Sequence, residues 1–151
     1  MTIALAIVLL LGVAASVEDF RRRQIPNWIP VAAVVSGLLL HTWTGSWWGL
    51  LNAAGGALGG FAALLLFYLL GGMGGGDVKL MAGFGAVAGA GSLILALVLV
   101  FLAGAGFALV VLALRALKRA LSGRHRTDVE DASIPYAPAI FVGTLMAILG
   151  H

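Results

Sequence analysis

The chain reads as an all-α, polytopic membrane protein with six transmembrane helices, and three observations predict this. Of its 151 residues 62% are hydrophobic and 10% charged, with a mean hydropathy of +1.09, and a soluble sphere of this size has too little interior to hide so much apolar surface. The apolar stretches are unbroken runs of Leu, Val, Ala and Gly rather than the alternating pattern of barrel strands, and a helix needs about 20 such residues to cross the hydrocarbon. Finally, all the charged side chains fall into three short windows, Glu18 to Arg23, Asp77 to Lys79 and Arg115 to Asp131.

The first run, Met1 to Val17, has no basic residue before it and meets Glu18 and an Arg cluster at its end, so it is expected to be a retained span and not a cleaved signal. The second and third runs are Trp28 to Thr44 and Leu50 to Leu70. Trp43, Trp47 and Trp48, with His41, suit an outer interfacial belt, and Trp28 an inner one. Gly55 with Gly59, and Gly56 with Gly60, have the spacing that lets helix backbones approach closely. The fourth run, Val78 to Ala90, spans only about 20 Å as a helix and would fit as the front of one long helix with the fifth, Ser92 to Leu114. Parity decides against that. With a sixth run from Ile134 to Gly150, six spans put all nine Lys and Arg on one face, and five do not. The break is then expected at Gly89-Ala90-Gly91, where the backbone can turn without a Cβ penalty. The positive-inside rule makes the charged windows cytoplasmic and turns both termini outward, in the cytoplasmic (inner) membrane. Residues 1–151 form one membrane-embedded domain, and Lys118 to Ser133 is expected to be a mobile loop.

A net charge of +3 and a pI near 10 do not indicate a nucleic-acid partner, because the basic residues flank apolar spans instead of forming a stripe with interleaved aromatics. With no cysteine, thiolate catalysis, disulfides and Cys-based zinc sites are excluded. Membrane lipid is the expected surrounding partner.

Asp19 and Asp77 each stand against a membrane-length apolar segment, where an ionisable group costs about 2.5–3.5 kcal/mol at the helix centre, so they are the candidates for function. Asp77 follows Gly71-Gly72-Met73-Gly74-Gly75-Gly76, a stretch expected to interrupt the helix and leave the backbone free to bend around a bound chain. Its structural alternative is a helix cap. Asp19 opens Asp19-Phe20-Arg21-Arg22-Arg23-Gln24-Ile25-Pro26-Asn27, and its alternative is an ion pair with the Arg cluster. Glu18 is equally acidic but points about 100° away on a helix, so one of the two faces the bundle. Lys79 has two readings, stabilising ionised Asp77 or orienting a substrate carbonyl on the one hand, anchoring the span at headgroups on the other. Arg21, Arg22 and Arg23 read as topology and lipid anchors. Glu18, Asp128, Glu130 and Asp131 read as attractors for a basic segment or as solvated surface. His41 and Asn52 read as lone structural polar residues.

Gly74-Gly75-Gly76-Asp77 followed by Val78-Lys79-Leu80 resembles the signature of the GxGD intramembrane aspartyl proteases, and within them the type IV prepilin peptidases. Asp19, Arg21 and Ile25-Pro26-Asn27 are similar to that family's first catalytic Asp and the turn behind it. Ile134-Pro135-Tyr136-Ala137-Pro138 resembles its last-helix motif, with Ala137 where Gly is common. The resemblance implies that Asp19 and Asp77 are the catalytic pair, with Gly74, Gly75, Gly76 and Lys79 around the substrate. It implies a prepilin or pseudopilin substrate with a short basic leader ending in Gly, followed by an apolar helix in the bilayer, and a short peptidase-only branch without the cysteine-bearing methyltransferase region. Two adjacent carboxyls would hold one shared proton and activate a water, so that neither metal, cofactor nor covalent intermediate is expected. The competing reading is a small ion or proton transporter using both Asp residues as cation sites.

Overall fold

A computed structural model of the chain describes residues 2–22, 24–71, 73–122 and 136–150. Five helices are seen among them, α1 (Thr2–Arg22), α2 (Trp28–Leu69), α3 (Gly75–Ala88), α4 (Ala90–Ser122) and α5 (Ala137–Leu149). Three of the helices contain segments long and apolar enough to cross a membrane, Ile3–Arg22, Trp28–Leu69 and Ala90–Leu114, and α5 is a shorter apolar helix. The protein is a helical membrane protein. The greater part of the expected loop from Lys118 to Ser133, including Asp128, Glu130 and Asp131, lies outside the described residues, as do Arg23, Gly72, Ile134 and Pro135.

Helix α1 runs past the expected end at Val17. Arg21 and Arg22 occupy its last turn, where positive charge offsets the helix dipole, and Arg22 Nε lies 3.3 Å from Glu18 Oε2, one turn earlier. Ala4, Val8, Gly12, Ala15 and Asp19 are buried at helical spacing, so Asp19 continues the packed stripe of α1 instead of terminating it.

The second and third expected spans are two arms of α2. They are separated not by a linker of several residues but by Ser46 alone, whose φ of 53° and ψ of −137° break the helical path. Both arms lie on α3. Gly37 in the first arm abuts Ala86, Gly56 in the second abuts Gly85, and farther from the bend Pro30 and Ala33 meet Gly83 while Gly60 meets Met81. At the bend itself Gly49 sits against the His41 carbonyl, leaving no room for a Cβ. Trp43, Trp47 and Trp48 project around this bend, 93%, 65% and 80% exposed, where an aromatic belt would place them.

Only 14 residues long, α3 is the interior helix, with every position from Asp77 to Val87 buried except Lys79 and Ala82. Such all-round burial suits a helix apolar on every face. It stops at Gly89, whose φ of +79° is one that L side chains rarely adopt. Ala90 and Gly91, expected to share the break, already belong to α4. Two polar side chains of α2 serve the junction: His41 Nε2 lies 3.0 Å from the Val87 carbonyl oxygen, and Asn52 Oδ1 accepts the Gly91 N–H at 3.3 Å. Helix ends leave such groups unpaired, so both residues have structural partners.

The helices associate as two groups. The α2–α3 interface is by far the most extensive, α4 and α1 both pack mainly on α5, and of the helix pairs that touch, α1 and α3 share the least.

Candidate active site

Although α1 and α3 share little surface, they bring Asp19 and Asp77 to one cavity of about 580 Å³. Both acids are only 8% exposed. Its walls are completed by the Ile25-Pro26-Asn27 turn entering α2, by Gly74, Gly75 and Gly76, and by Lys79 at the rim.

Among the described residues Asp19 makes no ion pair with Arg21 or Arg22; Arg23, the third member of the cluster, lies outside them. Among the described residues the one ion pair is Glu18 with Arg22. Asp19 Oδ2 instead accepts the Ala137 backbone N–H at 3.2 Å, from 118 positions along the chain. That N–H is the first of α5, whose own N-cap residue, Tyr136, supplies no side-chain bond. First-turn N–H groups lack partners within their helix and favour negative charge, so a carboxyl from α1 caps α5 across the bundle. Sequence reasoning did not give Ala137 this role. The available signal was Pro138, a residue suited to the first turn of a helix, which marks Ala137 as a donor without a partner.

The glycine segment is shorter as an irregular stretch than expected. Gly71 has a φ of +75° and Gly74 is extended, but Gly75 and Gly76 form the first turn of α3. Their value there is close approach: a Cβ on Gly76 would stand 3.3 Å from the Ile25 Cβ, and one on Gly75 would stand 3.4 Å from the Tyr68 ring. Asp77 is not the N-cap, which is Gly74; it sits in the first turn, its N–H donating to the Gly74 carbonyl at 3.2 Å. A Cβ on Gly74 would lie 3.4 Å from Asp77 Oδ2, so bare backbone borders the carboxyl.

Lys79 Nζ donates to Asn27 Oδ1 at 3.0 Å and makes no ion pair with Asp77. It therefore ties the turn before α2 to α3. Among the described residues no three His, Asp or Glu side chains cluster to hold a metal ion.

The model of the type IV leader peptidase family matches residues 4–109, a segment that contains both acids, the glycine stretch and Lys79 and ends before α5. Over 89 residues the chain is 37% identical to the preflagellin peptidase of Methanococcus voltae. The alignment covers 56% of this chain and 38% of that protein, so the matched part spans well under half the relative's length. No solved structure matches the chain.

Proposed function

The chain belongs to the type IV leader peptidase family, and from that premise we propose that it is an intramembrane aspartyl endopeptidase that removes the basic leader from prepilins or pseudopilins at the cytoplasmic membrane face. The observation that carries this reading is the burial of Asp19 and Asp77, remote in sequence, in one cavity. Two like charges placed together do not both ionise cheaply, so the pair holds one proton. The ionised carboxyl takes a proton from a water, whose oxygen bonds to the scissile carbonyl carbon while the protonated partner donates to the carbonyl oxygen. Collapse of this adduct breaks the C–N bond and delivers a proton to the leaving amine. The proton belongs to the pair and not to either residue.

The bare backbone of Gly74, Gly75 and Gly76 gives an extended peptide room to lie beside the acids. In this reading α1, the two arms of α2, α3, α4 and α5 make six crossings, both termini face outward, and the cavity opens to the cytoplasm. Trp28, 58% exposed, then marks the inner interface and the Trp residues at the α2 bend the outer one.

Co-expression in membranes with an epitope-tagged prepilin, read by gel mobility, tests the proposal. Asp19→Asn and Asp77→Asn are each expected to abolish the mobility shift, while Glu18→Gln retains it. Wild-type cleavage rates in either Asn variant would remove that residue from the mechanism, and a wild-type protein that processes no prepilin or preflagellin would overturn the assignment.

A further inference from the structure

A second cavity, of about 520 Å³, adjoins the one that holds the acids. Asn27 and Lys79 line both, so their 3.0 Å hydrogen bond is the partition between them. Beyond it the walls become apolar, with Pro30, Val31, Val34 and Val35 on the first arm of α2, Phe61 on the second and Ala82 on α3. Positions 27, 31 and 34–35 share one helix face, so the groove runs from the polar cavity along α2 for about 12 Å, some two helical turns. Val31 is 59% exposed, Val35 49% and Phe61 39%. These side chains form an uncovered trough that begins at the acids' cavity and ends in the apolar length of the bundle.

Resting on the peptidase reading, we propose that this groove seats the first turns of the substrate's apolar helix just after the scissile bond, with the Asn27–Lys79 pair marking where extended peptide gives way to helix. Cleavage requires an extended backbone at the acids, yet backbone in hydrocarbon must satisfy its own N–H and C=O groups and is therefore helical. The transition has to fall at a polar-to-apolar boundary, and the Asn27–Lys79 partition is that boundary. Lys79 spends one donor on Asn27, and an ammonium has others to meet a carbonyl of the last extended residue. A lipid chain would match the groove's polarity but has no need of its continuity with the acids' cavity.

Two probes test this, each with a basic leader ending in Gly, one followed by about 20 apolar residues and the other by a polar tail. Val35→Trp fills the groove, and Leu102→Trp on the outward face of α4, where Leu102 is 64% exposed, is the control. Val35→Trp is expected to raise KM for the apolar probe about tenfold more than for the polar-tailed probe, a discrimination within reach of one apolar contact, and Leu102→Trp to leave both unchanged. A photocrosslinking residue at position 35 in an Asp77→Asn background, where cleavage does not remove the complex, is expected to capture the apolar probe within two turns of its scissile bond. Equal KM effects on the two probes, or capture of lipid alone, would overturn the groove assignment while wild-type cleavage still stood. Failure of the wild type to cleave either probe would instead overturn the peptidase reading, and the groove with it.

Discussion

A buried carboxyl needs hydrogen-bond partners, and Asp19 finds one on another helix. Asp19→Asn keeps an acceptor for the Ala137 N–H, whereas Asp19→Ala leaves that donor buried and unpaired, at a cost of about 1–3 kcal/mol. Both variants are expected to lack cleavage, yet Asp19→Ala should melt several degrees below Asp19→Asn in detergent; equal melting temperatures would show that the bond contributes nothing. The motif that Asp19 opens singles it out in the sequence, while helical geometry says only that one of Asp19 and Glu18 faces the bundle; the run before it is apolar on every face, so the buried stripe of Ala4, Val8, Gly12 and Ala15 that Asp19 continues shows only in the structure. Its acceptor role toward Ala137 was not legible, because periodicity carries no information about a contact 118 residues away. Lys79 was open for the same reason, as its partner Asn27 lies across the bundle.

Between elements, small residues set how closely α2 and α3 approach. A Cβ on Gly56 would collide with the Gly85 carbonyl, which is backbone and cannot rotate away, whereas Gly106 on α4 has open space around it. Gly56→Ala is therefore expected to destabilise the protein by about 1–3 kcal/mol through overpacking, and Gly106→Ala to stabilise it by up to about 1 kcal/mol through helix propensity. Thermal unfolding in detergent checks the pair, and the same sign for both would contradict the packing described. The spacing of Gly56 and Gly60 announced a close helix contact, but not that α3 would be the helix received. The α2 bend was expected to be longer than it is, because a run of Trp, Thr, Gly and Ser reads as an interfacial loop while only Ser46 leaves the helical path. Gly75 and Gly76 show the converse: low helix propensity yields to packing against Tyr68 and Ile25.

For the whole molecule, composition alone identified a helical membrane protein, and the clustering of charge suggested its orientation. The chain has no cysteine, so single substitutions report orientation cleanly. A membrane-impermeant maleimide is expected to label Gly45→Cys in intact cells and Gln24→Cys only after permeabilisation; the reverse pattern would invert the proposed topology. What composition did not convey is the division of the bundle into two groups. Asp19 is fastened to Ala137 within the group of α1, α4 and α5, and Asp77 rides on α3, which is tied to the start of α2 through Lys79 and Asn27. No hydrogen bond among the described residues links acid to acid. Sliding one group on the other would change the separation of the carboxyls while leaving every helix whole. If the proposed cleavage depends on that separation, bilayer thickness, which biases helix tilt, is expected to set its rate, readable as cleavage that varies with lipid acyl-chain length in vesicles of otherwise identical composition; a rate independent of chain length would contradict such sliding.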